Sequence, residues 1–328
     1  MISVIIPMYN EEKVILSCLD SVVSELSKED ELIVIDDGST DNSRKLVVEY
    51  FNSNSIENGK YYFQENSGLG SACNLGILKS SKEYILFIDA DDLMFENSLA
   101  ILKKIIKNTE CDLVAFDIEN HLINGERSIS HYDLKNNAVV DRSAFNKLIN
   151  GIPSAKNKLI KRSVFEDYHI EFPTNLWFED LMTTTKFFAN DIKVYYTKDI
   201  KYQYIHRDNS IIRNKNLKKN LDVIEVVESI IKYYDEKNQL ESRKDALHNL
   251  IIKHLIVHAP VRIIKNSDFN YQESQVLIDE LTKTYREIIS NYPVFKNSKY
   301  DLGRKDKLVK SLVLSNKIRL LTFILKNT

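Results

Sequence analysis

The sequence predicts an α/β fold, a doubly wound sheet flanked by helices over residues 1–212, followed by a helical C-terminal region over residues 213–328. Three observations carry this expectation. Short apolar, β-branched runs alternate with helix-patterned stretches through the first hundred residues. Polar loops rich in Asp, Ser and Asn follow those runs, and beyond Arg213 the spacing turns helical with few Gly or Pro. A βαβαβαβ order of this kind implies a parallel doubly wound sheet, whose ligands sit beyond the carboxyl ends of the strands.

The elements follow in order. Ile2 to Ile6 is a continuous apolar run of strand length, as expected for a strand buried on both faces. Asn10 is placed to cap a helix with Glu11 and Glu12 in its first turn and Ile15, Cys18, Leu19, Val22, Val23 and Leu26 at helical spacing. LIVI at 32–35 leads into DDGSTDNS and a helix through Leu46 and Val47. Tyr61 to Phe63 leads into a Gly-containing loop and a helix around Leu75 to Leu78. YILFI at 84–88 ends in DADD, with a further helix from about Asn97. From 112 to 205 the alternation loosens into short strand candidates, DLVAF, KVYY and YQYI, interrupted by helical pieces. The last part reads LDVIEVVESIIKYY and then HNLIIKHLIVHAPVRII, both helical.

Composition bounds the function. With 43% hydrophobic and 28% charged residues in 328, the chain has globular composition, not that of a disordered one. The formal net charge of −2 is not that of a nucleic-acid binder. Cys18, Cys73 and Cys111 have no paired spacing, which argues against a disulfide framework or a structural zinc site and suits a reducing compartment. No signal-peptide pattern opens the chain and no apolar run reaches the roughly 18 residues of a membrane span. The expectation is a cytoplasmic protein, at most peripheral on the inner face of a membrane.

Asp36 and Asp37 follow the second apolar run, and Asp89, Asp91 and Asp92 follow the fourth. Asp and Gly also make turns, so DDGSTD alone is equally explained by loop chemistry. DADD is harder to explain that way. Three carboxylates within four residues repel one another unless a cation neutralises them, and a divalent metal carrying a diphosphate is the natural partner.

SVIIPMYNEE, IVIDDGSTDNS, NSGLGSACNLGI and FIDADD, in that order, resemble the family 2 glycosyltransferases, inverting enzymes with the GT-A fold, a doubly wound mixed sheet. KNKLIKRSVF, FEDLMTTTKFF and YQYIHRDNSI continue the likeness to about residue 212. The resemblance implies transfer of a sugar from a nucleotide diphosphate sugar, usually UDP-linked, to a saccharide or lipid-linked acceptor with Mn2+ or Mg2+. A bacterial surface polysaccharide is the expected product. It places Pro7, Tyr9 and Glu11 at the nucleotide, Tyr9 stacking on the base, and gives Asp37, with Asp36 beside it, the uracil N–H. Asp89 and Asp91 match the two carboxylates of the DXD motif, Asp89 near the ribose and Asp91 binding metal, with Asp92 either an additional ligand or a residue that supports one. Asp180, in the pair Glu179-Asp180, matches the general base. Its plainer reading, an acidic first turn that favours a helix by about 0.3–1 kcal/mol, coexists with that role. Arg207, beside His206 and ahead of Ser210, is placed to neutralise the diphosphate. Asn157 and Lys158 match a pair read as structural. Asn74 lies at the nucleotide, but Cys73 stands where the family commonly has Arg, which removes one expected cation.

Other patterns fail. Gly68-Leu69-Gly70 lacks the third glycine of a dinucleotide fingerprint, and no GK[ST] follows a Gly-rich loop. His254 and His258 are spaced i, i+4 without the Glu of H-E-x-x-H and read as core or interface histidines. A sugar-1-phosphate nucleotidyltransferase would need a Gly-rich basic loop where PMYNEE stands. A non-catalytic nucleotide-sugar-binding or scaffold protein would have no need of Glu179-Asp180. In residues 303–328, seven basic residues face Asp306 alone, while Leu314, Ile318, Leu321 and Leu325 share one face of a single helix. That segment fits either an anionic membrane surface or a packed terminal helix with a solvated face. The helical region as a whole is a candidate contact for acceptor, membrane or a second subunit of a homo-oligomer.

Overall fold

The structure is a computed structural model that describes residues 1–54, 56–207, 216–266 and 270–327. It divides into two compact units, Met1–Asp208 and Asn209–Thr328.

In the first unit β1 (Ile2–Met8), α1 (Ile15–Val23), β2 (Glu31–Asp37), α2 (Ser43–Ser53), β3 (Gly59–Gln64), α3 (Leu69–Lys79), β4 (Tyr84–Phe87) and α4 (Ser98–Thr109) alternate as the apolar runs demand. There follow β5 (Leu113–His121), β6 (Arg127–Ser130), β7 (Ala138–Val139), α5 (Phe145–Ile149), β8 (Lys158–Lys161), α6 (Arg162–Asp167), α7 (Glu179–Phe187) and β9 (Val194–Ile205). Among the described residues they build one mixed sheet in the order β3-β2-β1-β4-β8-β5-β9-β7, with β6 paired to β5. The pairs β3–β2, β2–β1, β1–β4 and β5–β9 are parallel, whereas β8 runs antiparallel between β4 and β5. Every residue of β1, β2 and β4 is buried, which explains the apolar stretches Val4–Ile6, Leu32–Ile35 and Tyr84–Phe87 within them.

The strand order reverses direction at β1, between β2 and β4, so the crevice at the carboxyl ends of β1 and β4 is the topological switch point. Tyr9, Glu11 and the DADD loop all leave the sheet there. Gly70 lets α3 approach closely, because a Cβ on it would lie 2.0 Å from the Pro173 carbonyl oxygen.

Two local expectations are corrected. Asn10 caps no helix; it sits in left-handed backbone (φ 57°), and its Oδ1 accepts from the Thr40 N–H at 2.7 Å, while α1 starts at Ile15. KVYY and YQYI are one strand, β9, which pairs with β5 on both sides of a register shift at Phe116/Asp117.

The second unit is helical: α8 (Asp222–Glu236), α9 (Leu240–Ile251), a π-helical stretch Ile252–His258, α10 (Ala259–Lys265), α11 (Tyr271–Asn291), α12 (Arg304–Leu314) and α13 (Ile318–Lys326). Val223, Val226, Val227, Ile230 and Ile231 of α8 and Leu247, Leu250 and Ile251 of α9 are buried. His254 and His258 lie ring to ring at 5.2 Å, and burial drives the His254 pKa well below its usual value, as for a neutral interior imidazole. The single terminal helix expected from leucine spacing is broken in two, because Asn316 turns left-handed (φ 56°) between α12 and α13. Ile318 and Leu321 are buried, while Leu320 and Phe323 point outward at 48% and 67% exposure. No helix among the described residues is long and apolar enough to cross a membrane.

Candidate active site

The acidic loop after β4 is built by hydrogen bonds the spacing does not reveal. The Asp92 N–H donates to the Asp89 carbonyl at 3.0 Å, curling the loop. Beneath it the Tyr202 hydroxyl of β9 accepts from the Asp89 N–H at 3.0 Å and donates to Asp92 Oδ2 at 2.6 Å. Asp92 Oδ1 accepts from the Ile205 N–H at 2.8 Å. Asp92 is thus the buried anchor of the loop, and burial together with the charges of Asp89 and Asp91 raises its pKa.

Asp89, Asp91 and Asp92 each bring a carboxylate oxygen within 4.8 Å of the others, the donor set of a hard divalent cation. Two side chains of the protein partly neutralise them. Arg207 Nη1 lies 3.0 Å from Asp91 Oδ2, and Lys156 Nζ lies 3.3 Å from Asp89 Oδ2. Negative charge still predominates. Burial, reinforced by Asp91, pushes the Glu11 carboxyl up to about 7, and burial, with Asp91 and Asp180 adding, raises Asp89. A group of carboxylates held against its own repulsion fits a divalent cation.

Asp180 approaches from the other side, in the first turn of α7. The turn is entered through Phe178 in left-handed backbone (φ 68°), a conformation rare for an aromatic residue and costing roughly 1–3 kcal/mol. Lys156 Nζ reaches Asp180 Oδ2 at 2.9 Å, so one ammonium joins the base candidate to the acidic loop. Glu179 beside it is raised by burial and by Asp180.

The remaining predicted residues are distributed unevenly. Pro7 is buried in β1 opposite Ile35, and Tyr9, just beyond, is 47% exposed. Asp37 Oδ1 accepts from Gln64 Nε2 (2.6 Å) and the Ser67 N–H (2.8 Å), and Oδ2 from the Gly68 N–H (2.9 Å), so it first of all shapes the β3–α3 loop. Asp36 corrects its expectation. It is fully buried, accepts from the Ser39 N–H at 2.8 Å and the Tyr61 hydroxyl at 2.5 Å, and is an internal strut with no surface to offer a base. Asn74 clamps Phe172 with both ends of its amide, at 2.8 and 2.9 Å, tying α3 to the segment before α7. His206 lies 3.3 Å from Asn120 Oδ1, and Ser210 falls outside the described residues. Lys156 and Tyr202 escape sequence reasoning: one lies in an irregular loop, the other reads as an ordinary apolar strand residue, and no spacing signals either. Asn157 and Lys158 are structural, with Asn157 Nδ2 donating to the Phe116 carbonyl at 2.6 Å and the buried Lys158 to the Tyr132 hydroxyl at 2.9 Å.

A switch-point crevice lined by strand-end carboxylates, with an acidic helix start opposite, is the site of an α/β enzyme that binds its ligand beyond the carboxyl ends of the strands. The sequence matches the glycosyl transferase family 2 over residues 3–169. The chain belongs to that family and is a glycosyltransferase. It is 27% identical over 241 residues to glycosyltransferase GlyG of Streptococcus pneumoniae, covering 69% of this chain and 78% of that one. It is 25% identical to the putative glycosyltransferase EpsH of Bacillus subtilis, covering 98% and 93%. A poly(ribitol-phosphate) beta-glucosyltransferase of Bacillus spizizenii is 31% identical over 209 residues, 62% of this chain but only 32% of that longer protein. Among solved structures, residues 1–349 of S. aureus TarS with UDP share the fold at a TM-score of 0.60 and 20% identity, covering 92% and 94%. Mannosyltransferase PcManGT of Pyrobaculum calidifontis, with GDP-Man and Mn2+, does so at 0.55 and 14%, covering 98% and 86%.

Proposed function

We propose that the protein transfers a sugar, with inversion, from a UDP-sugar to a saccharide or lipid-linked acceptor in the synthesis of a bacterial surface polysaccharide. The observation that carries this is the convergence of Asp180 and Asp89 on the Lys156 ammonium, at 2.9 and 3.3 Å, which sets a base candidate beside a donor-side carboxylate. Tyr9 stacks on the base, Asp37 accepts from its ring N–H, and Pro7, Glu11 and Asn74 shape the crevice around the nucleotide. Asp89 faces the ribose, and Arg207 turns its guanidinium to the diphosphate. Asp91 would hold the metal, with Asp92, expected as a further ligand but engaged by Tyr202 and Ile205, anchoring the loop beneath it; when bound, the ion stabilises the negative charge of the departing diphosphate as a Lewis acid. Asp180 accepts the acceptor hydroxyl proton while that oxygen attacks the anomeric carbon; the carbon–oxygen bond to the diphosphate breaks, and UDP leaves from the opposite face.

The donor assignment draws on TarS complexes with UDP and UDP-GlcNAc, and the polymer class on the poly(ribitol-phosphate) beta-glucosyltransferase. For location, the outward face of α13, with Leu320 and Phe323 beside Arg319, fits an anionic lipid surface.

The test is a panel of UDP-glucose, UDP-galactose, UDP-GlcNAc and GDP-mannose, with Mn2+, Mg2+ or EDTA, read by thermal shift and by nucleotide release. A UDP-sugar at a hundred times its Kd should stabilise the protein by about 2.7 kcal/mol, and slow UDP release should follow. Stabilisation without release from any donor would favour the scaffold reading. No response to UDP or any UDP-sugar refutes the donor class.

A further inference from the structure

We infer that Lys156 is a positioning residue of the transfer reaction, its ammonium fixing the Asp180 carboxylate against the loop that follows β4. The inference rests on the reading of Asp180 as the base. Lys156 lies in the irregular stretch between α5 and β8, yet its side chain is only 13% exposed and reaches Asp180 Oδ2 and Asp89 Oδ2 at once, at 2.9 and 3.3 Å. The two carboxylates are themselves 15% and 23% exposed, so the pairing is largely shielded from water. A lysine engaged in this way loses most of its rotamer freedom, and so do its partners.

The neighbours of Lys156 explain why it holds still. Lys158 is fully buried and donates to the Tyr132 hydroxyl (2.9 Å), the Ile152 carbonyl (3.0 Å) and Asn157 Oδ1 (2.9 Å). Asn157 in turn donates to the Phe116 carbonyl of β5 at 2.6 Å. The backbone on the C-terminal side of Lys156 is therefore pinned to the sheet by buried side chains, and the loop presents its ammonium from a rigid support.

Charge accounts for the need. Asp89, Asp180 and Glu179 crowd one corner of the crevice around Lys156, and Cys73, buried on α3, contributes no positive charge there. The cation of this corner comes instead from the loop before β8. Without it the two aspartates would repel, and the distance between base and donor would relax. A displacement of about 1 Å in a reacting group is enough for a hundredfold loss of rate.

The experiment compares Lys156→Met, Lys156→Gln and Lys156→Arg with wild type and Asp180→Asn, in the full chain. It uses whichever UDP-sugar the wild type turns over, and thermal shift with UDP as the binding probe. The Met and Gln variants should lose about 10- to 100-fold in kcat, with the donor KM and the UDP-induced shift within about threefold of wild type. The Arg variant should keep at least about a third of kcat. If the Met variant does not fold, the Gln and Arg variants carry the comparison. Wild-type kcat in a neutral variant overturns the inference, as does a loss confined to KM, which would make Lys156 a donor contact. Equal loss in the Arg and Gln variants also overturns it. If Asp180→Asn is inactive while the Lys156 variants turn over normally, the base stands and this inference alone falls. If Asp180→Asn stays active, the base reading fails and takes the role of Lys156 with it.

Discussion

Asp180→Asn separates chemistry from binding. Asparagine preserves the size of the side chain and still offers Lys156 an oxygen, but it has no charge and cannot accept the acceptor proton. A positioned general base contributes typically 10²- to 10⁴-fold, so kcat should fall by that factor, about 2.7–5.4 kcal/mol of barrier at 1.36 kcal/mol per decade. Two structural effects on stability oppose each other. The variant loses a charge-assisted hydrogen bond to Lys156, worth roughly 1.5–3 kcal/mol. It also removes a negative charge that raises the Glu179 pKa, and Lys156 keeps Asp89 as a partner. The net change should stay below about 2 kcal/mol, and the variant should fold. Steady-state UDP release in the presence of acceptor gives kcat, and thermal shift with UDP reports the nucleotide site. Retention of more than about a tenth of wild-type kcat, with UDP binding intact, refutes the base assignment.

Further predictions concern the acidic crevice and the terminal helix. Burial and neighbouring carboxylates hold the Glu11 pKa at about 7 against 4.5 unfolded, so the native state binds the extra proton and loses stability as pH rises from 4.5 through 7. Glu11→Gln should therefore raise the melting temperature in EDTA at pH 8 and leave it unchanged near pH 4. Screening in a half-buried site reduces the effect to about 1–2 kcal/mol, and a difference that does not grow with pH refutes the electrostatic account. Asp91→Asn should raise the Mn2+ concentration needed for half-maximal UDP release at least tenfold; an unchanged Mn2+ curve would remove Asp91 from the metal site. Phe323, 67% exposed on α13, should contribute roughly 1.5–3 kcal/mol to binding of vesicles containing phosphatidylglycerol. Phe323→Ser should therefore weaken cosedimentation about tenfold or more, and equal binding by both proteins refutes the docking face.

The parts of the fold legible in sequence are those whose burial is uniform. β1, β2 and β4 are enclosed on both faces, so their apolar runs need no partner to be recognised. Their carboxyl ends mark the site for the same reason, since Asp89 and Asp91 stand directly after such a run. What failed depends on contacts distant in the chain. Asn10 is a good capping residue, but Thr40 from the next loop takes its side chain and its backbone turns left-handed. Asp36 and Asp37 are indistinguishable in sequence, yet Tyr61 and Ser39 enclose the first. Leucine spacing at 314–325 is continuous, but Asn316 breaks the helix under it. Lys156 has no periodic signature at all, and its meaning arises only when α7 and the β4 loop meet around it.

The fold also divides what the spacing makes equivalent. Asp92 has both oxygens occupied by Tyr202 and Ile205 and is fully buried, so it cannot shift without unpicking the loop. Asp89 shares Lys156 with Asp180 in a pairing no carboxylate of which is more than 23% exposed, and opening it would leave charges poorly solvated. The Asp91–Arg207 pair is different, with both side chains close to one-third exposed. Ion pairs of such exposure are worth about 0–1 kcal/mol, so the guanidinium can leave Asp91 at little expense. A diphosphate offers Arg207 bidentate contacts and more charge than the single Asp91 oxygen it now meets, and its arrival would free Asp91 for a cation at the same moment. Of the three carboxylates, then, Asp91 is the one whose partner donor binding should exchange, while Asp89 and Asp92 keep the frame in which that exchange occurs.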